Sequence, residues 1–199
     1  MTAAGRICVL ISSLMVGGCA SVAPFKGITI EERSVYVSGV PAIRQDKHYA
    51  CGAACLAAVA AYWNVPLLTF REKRAQMPED TTGADLQALA RELGLQAFSY
   101  RGSMEDLQEN LHKGRPLIVM IPQPVLPSGG FIGGSLINAW NQWGLKPAHW
   151  VVVIGLEKED VVIIADPESG LLKVKRPAFQ AWWAKKDHLT VLVAAPDSS

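Results

Sequence analysis

Residues 45–55 read Gln45-Asp46-Lys47-His48-Tyr49-Ala50-Cys51-Gly52-Ala53-Ala54-Cys55. The chain from Val40 to Ala50, with Pro41 near its start, is expected to be extended or loop. From Gly52 to Trp63 it turns to Ala, Leu and Val without a proline, which predicts a buried helix stopped by Asn64 and Pro66. Cys51 therefore stands where loop becomes helix. A helix start presents free N–H groups and the positive end of the dipole. Both stabilise a thiolate, the nucleophilic form, and pull a cysteine below its free pKa of ~8.5. Gly52 beside it reads as room for a substrate backbone. A free cysteine is more often a buried packing residue, so this position carries nothing alone.

Working outward, Ile28–Val37 alternates apolar and polar residues and predicts a strand. Thr82-Gly83-Ala84-Asp85 opens a second helix, closed by Gly94, with Leu86, Leu89, Ala90 and Leu93 on one face. Leu95–Tyr100 is a strand candidate. Ser103 caps a third helix that Gly114 ends, with Glu105 and Asp106 in its first turn. Leu117–Ile121 is a short apolar strand. Residues 122–148, rich in Pro and Gly, form a long loop of the kind that often carries function. Strands follow at His149–Gly155, Val161–Ala165, Leu171–Val174 and Leu189–Val193, interrupted by a short helix at Pro177–Ala184. Helices early and strands late predict an α+β domain.

His149 opens a strand that otherwise looks buried, and Asp166 ends the strand after it. Their spacing suits neighbouring strands joined by a turn at 157–160. Asp166 could then orient the imidazole and hold its tautomer. Alone, each has a plainer reading: a satisfied histidine, and a turn-forming Asp-Pro. Gln45 lies one short loop before Cys51. Its side-chain N–H₂ and the Cys51 backbone N–H could form an oxyanion hole.

The segment 45–55, the segment Ala148-His149-Trp150-Val151-Val152-Val153-Ile154-Gly155 and the segment Ile164-Ala165-Asp166-Pro167 resemble, in order, three signatures of one family. It is the bacteriocin-processing peptidase family C-39, a papain-like group. The resemblance covers roughly residues 40–195. It implies a papain-like fold in which N-terminal helices pack on a C-terminal antiparallel sheet. It also implies roles: Cys51 attacks the scissile carbonyl, His149 takes and returns the proton, Asp166 orients His149, and Gln45 stabilises the oxyanion. Many members cut leader peptides after a Gly-Gly pair, and many are fused to an ABC transporter. This chain shows no transmembrane domain and no phosphate-binding loop, so it looks like a stand-alone form.

The N-terminus looks like an address. Arg6, the apolar stretch Ile7–Val16 and the small residues Gly17, Gly18, Cys19, Ala20 and Ser21 make a secretory signal. Val16-Gly17-Gly18-Cys19 resembles a bacterial lipobox, which implies diacylation of Cys19 and cleavage before it. Ala20 after the cysteine suggests the outer membrane, facing the periplasm. The expected organisation is a signal peptide at 1–18, a lipidated tether at 19–27 and the peptidase domain at 28–199. The lipid would then do the membrane binding.

Lys plus Arg is 19 and Asp plus Glu is 18, a net charge of +1. A nucleic-acid binder needs a basic face, so that class is disfavoured. Half of the residues are hydrophobic, which excludes disorder for most of the chain. Of the four cysteines, Cys8 would leave with the signal and Cys19 would carry the lipid. Cys51 and Cys55 alone make no disulfide scaffold. His48 is close by, but no further Cys or His pair has zinc-finger spacing, and no metal or organic cofactor is implied. Cys55, one helical turn after Cys51, reads as a small buried residue. Trp140, Trp143 and Trp150 read either as a cleft lining or as core.

The expected partner is a peptide or protein substrate, with a secretion system as a further one. Two rivals stay open: a peptide-binding or secretion-accessory lipoprotein that cuts nothing, and a transglutaminase-like acyltransferase.

Overall fold

The computed structural model describes residues 34–46, 50–75, 78, 80–123, 148–157 and 160–196. The expected signal peptide and tether, most of the first expected strand, His48, Trp140, Trp143 and most of the long loop lie outside them.

The elements run β1 (Val35–Tyr36), α1 (Cys51–Tyr62), α2 (Leu67–Arg74), α3 (Gly83–Glu92), β2 (Gln96–Arg101) and α4 (Met104–His112). They continue with β3 (Leu117–Pro122), β4 (Ala148–Glu157), β5 (Val161–Asp166), β6 (Gly170–Lys175), α5 (Arg176–Ala184) and β7 (Leu189–Ala194). One seven-stranded sheet is ordered β2-β7-β3-β4-β5-β6, and β1 pairs with the far end of β4. Every pairing is antiparallel. The mixed helix-and-sheet class read from the sequence holds.

One detail differs from expectation. Helix α2 is absent from the sequence reading. Its eight residues, LLTFREKR, bury only Phe70, so no apolar stripe announces it. The helices cover both faces of the sheet. One core joins Leu56 and Val59 of α1, Leu86 and Leu89 of α3 and Trp150, Val152 and Ile154 of β4. A second joins Leu107 and Leu111 of α4, Phe179 and Trp183 of α5 and Val151 and Val153 of β4. Alternate residues of β4 thus feed opposite cores, which is why its sequence is a nearly unbroken apolar run. A sheet covered on both faces places its middle strand, β4, in the centre of the molecule. His149 stands near the beginning of that strand.

Helices α3 and α4 start with full capping boxes. The side chains of Thr82 and Ser103 accept from the N–H of Asp85 and Asp106, whose carboxylates accept from the cap N–H groups in return. Helix α1 has Ala50 at its cap and no side-chain bond there.

Phe179→Ala should cost about 3–5 kcal/mol, since the ring is fully buried between α5 and the sheet. Thr82→Ala should cost only about 1 kcal/mol, the worth of a cap. Urea unfolding of the two variants checks both, and a smaller loss for Phe179→Ala would mean that the second core is not load-sharing.

Candidate active site

Three sequence-predicted residues meet where α1 begins and where β4 and β5 come together at one end of the sheet. Cys51 is the first residue of α1, 8% exposed, and His149 and Asp166 are each 1% exposed. His149 and Asp166 are on adjacent strands, as their spacing predicted. His149 Nε2 lies 3.1 Å from Asp166 Oδ1. The approach is off the line of the ring N–H, so the pair is an ion contact rather than a linear hydrogen bond. With Nε2 turned to Asp166, Nδ1 is the ring nitrogen left for the Cys51 thiol, to which His149 is hydrogen-bonded.

The turn after β5 holds Asp166 in place. Its Oδ1 accepts from the backbone N–H of Glu168 at 2.7 Å and of Ser169 at 3.1 Å. Burial pushes this carboxyl up, but His149 and the two N–H groups outweigh it and hold the carboxyl below its ordinary value. Burial alone would push His149 down; the close approach and charge of Asp166, with those of Cys51, raise it to about 9. For Cys51, burial pushes up, but the His149 hydrogen bond and the backbone N–H groups of Trp150 and Gly52 bring the thiol below its ordinary value. The two shifts point the same way: each favours the charged form, thiolate on Cys51 and imidazolium on His149.

Gln45 reaches the same place from the loop before α1. Its N–H donates to the Pro167 carbonyl at 3.1 Å, and the Arg44 guanidinium donates to the Glu168 carbonyl at 2.8 Å. This strap crosses the turn that carries Asp166. Gln45 Oε1 is buried without a partner among the described residues.

Two readings of the neighbourhood change. Gly52 does not leave room for substrate. A Cβ there would overlap Thr81 Oγ1 and stand 2.9 Å from Trp150 Cδ1, so glycine is required by the chain's own packing. Trp150 is core, 2% exposed, with its indole Nε1 donating to the Thr81 carbonyl at 3.0 Å. Cys55 is a small buried residue, as expected. Its thiol, pushed well up by burial and by the charges of Cys51 and Asp166, donates to the Trp150 carbonyl at 3.2 Å. A cavity of about 10 Å³ between Cys55, Val152, Ala165 and Asp166 has room for at most a water molecule. His112 is exposed, and His188 packs edge-on against Trp183. Sequence reasoning missed Thr81, whose main-chain contact has no residue-type signature.

The model of the Peptidase_C39 like family matches residues 37–191. Among solved structures, a double glycine motif protease from an AMS/PCAT transporter, in complex with the leader peptide, is similar at 22% identity and a TM-score of 0.55. The match covers 81% of this chain and 95% of that one. The peptidase domain of Streptococcus ComA, a bi-functional ABC transporter involved in a quorum sensing pathway, is similar at 23% identity and a TM-score of 0.54. It covers 77% of this chain and 97% of that one. At these identities the two structures speak to the fold, and it is the fold that the resemblance implied. No curated protein matches the chain.

The uncapped start of α1 leads to a prediction. An aspartate at the N-cap would accept from the Gly52 or Ala53 N–H and place a negative charge beside the sulfur. Ala50→Asp should therefore stabilise the protein by up to ~1 kcal/mol in urea unfolding. It should also slow iodoacetamide alkylation of Cys51 near pH ~6 by about tenfold, one unit of thiol pKa. An unchanged alkylation rate in the stabilised variant would show that the first-turn N–H groups do nothing for the thiol.

Proposed function

The chain belongs to the Peptidase_C39 like family of cysteine peptidases, and we propose that Cys51, His149 and Asp166 are its catalytic row, with Gln45 completing an oxyanion hole. The observation that carries this reading is the convergence of a thiol, an imidazole and a carboxylate, all nearly buried, at an uncapped helix start.

In this mechanism the Cys51 thiolate attacks the carbonyl carbon of a peptide bond. A C–S bond forms, and the carbonyl electron pair moves onto oxygen. The Cys51 backbone N–H and the Gln45 amide N–H₂ donate to that oxyanion. The C–N bond then breaks, and the leaving amine takes the proton of His149. A thioester remains. Water attacks it, giving its proton to His149. The C–S bond breaks, the acid leaves, and the thiolate–imidazolium pair is restored. Asp166 stays charged throughout and steadies the imidazolium.

The substrate is an exported peptide or protein, cut after a Gly-Gly pair. Support comes from the similar double glycine motif protease, which was solved in complex with a leader peptide. The chain acts in the bacterial envelope, anchored at Cys19 to the outer membrane on its periplasmic side, close to a secretion system. The lipobox-like residues 16–19 support that placement.

Peptides bearing a Gly-Gly pair, incubated with the full chain in heavy-oxygen water, test the reaction. The new carboxylate should carry heavy oxygen. Transfer to an added amine in preference to water would instead identify an acyltransferase. Cys51→Ala should abolish cleavage with the fold retained, and His149→Ala should lower it by about 10²–10⁴. Normal turnover by either variant would remove the mechanism.

The pH profile of kcat/KM follows from the shifts. Below the lowered Cys51 value the thiol is protonated and cannot attack. Above about 9 His149 is neutral and has no proton for the leaving amine. Activity should therefore be high between those limits, with an acid limb below the range of an ordinary thiol and an alkaline limb near 9. An acid limb at an ordinary thiol value would mean that the resting thiol is not ionised. Cys19→Ser should move the chain from the membrane fraction to the soluble one, and retention in the membrane would remove the anchor.

A further inference from the structure

Trp150 takes no part in the chemistry just described, yet it touches the nucleophile's helix at Cys51, Gly52 and Cys55. The ladder between β4 and β5 runs only as far as Val152 opposite Ala165. Beyond that point the peptide groups of Trp150 meet the first turns of α1. Its N–H faces the Cys51 sulfur and helps to hold that thiol below its ordinary value. Its carbonyl accepts the Cys55 S–H at 3.2 Å. One strand residue thus faces two thiols that stand one helical turn apart and bonds the second of them. The side chain is fixed as well. The indole Nε1 donates to the Thr81 carbonyl at 3.0 Å, and the ring lies over Gly52 so closely that a Cβ would stand 2.9 Å from Cδ1.

These contacts have a directional consequence. His149 precedes Trp150 on the same strand, and Gly52 follows Cys51 on the same helix. Clamping Trp150 onto Gly52 and Cys55 therefore sets how far the imidazole stands from the sulfur. We propose that Trp150 is the positioning residue of the nucleophile, held by Cys55 through its carbonyl and by Thr81 through its indole. The proposal rests on the reading of Cys51 and His149 as nucleophile and base.

The charged and titratable groups around the sulfur are His149 from β4, Asp166 from β5 and Cys55 from α1 itself. Cys55 stays a neutral donor, because burial and the two neighbouring negative groups oppose its ionisation. A phenylalanine at 150 would keep the ring over Gly52 but lose the bond to Thr81. A serine at 55 would keep a donor for the Trp150 carbonyl, and an alanine would not.

The test is the pH dependence of iodoacetamide alkylation at Cys51, read by peptide mass mapping on the full chain. It needs no substrate. Trp150→Phe and Cys55→Ala should slow alkylation near pH ~6 by about tenfold, as the acid limb moves up by one unit. Cys55→Ser should stay near the wild-type profile. Circular dichroism should be unchanged in all three. Wild-type profiles in folded Trp150→Phe and Cys55→Ala would overturn the proposal. So would Cys55→Ser behaving like Cys55→Ala, which would mean that sulfur volume and not donation matters. If Trp150→Phe does not fold, the Cys55 pair decides by itself. An ordinary thiol profile in the wild-type chain would overturn the catalytic reading, and this one with it. A shifted wild-type profile that the variants leave alone overturns only the positioning role.

Discussion

A thiol and an imidazole that share a proton inside a protein are held by everything that faces them. Burial opposes both charges, and an ion pair taken out of water stays charged only where further hydrogen bonds compensate. Here each member has such support. The Cys51 sulfur faces the N–H groups of Trp150 and Gly52, which favour its thiolate. Asp166 takes those of Glu168 and Ser169, and its charge faces His149. Nearly all of the stabilising donors are main-chain groups. They are available because a helix begins, a strand pairing stops and a turn follows a strand at the same place.

The architecture supplies that coincidence. Strand β4 is central and buried on both faces, so His149 enters the site from a rigid element. Strand β5 ends at Asp166, which frees the neighbouring stretch of β4 for α1. The strap at Arg44 and Gln45 ties the chain just before α1 to the turn just after β5. Three separate segments are thereby brought to one point by backbone contacts rather than by side-chain packing alone.

This explains what could be read from the sequence and what could not. Helix α1 was legible as an Ala-rich apolar run, and β4 as an unbroken apolar strand. The capping residues Thr82 and Ser103 marked the starts of α3 and α4. Helix α2 was not legible, because eight mostly polar residues with one buried side chain carry no periodicity. The placing of α4 and α5 on the second face was not legible either, since an amphipathic helix does not state which side of a sheet it covers. At the candidate site, the sequence could point to Cys51, His149 and Asp166 because the proposed chemistry requires those residue types, and the structure brings the three together. Gly52 misled: its missing side chain makes room for Thr81 and Trp150, not for a substrate. Thr81 left no trace, because its indole contact is made by a carbonyl that any residue would supply.

The contrast among helix starts follows the same logic. Where a helix only has to be stable, as in α3 and α4, the chain spends Thr82, Asp85, Ser103 and Asp106 on reciprocal caps. Where a helix presents its N–H groups to a sulfur and, in the proposed mechanism, to an oxyanion, a cap would occupy those groups and add a negative charge beside them. Ala50 offers no acceptor. Its stability deficit, about 1 kcal/mol against a good cap, is small beside the burial of α1, whose residues from Cys51 to Ala60 are all enclosed. The deep burial of α1 thus permits the open start, which adds to what His149 does for Cys51 and is not offered to Cys55, the same residue type one turn further along the same helix.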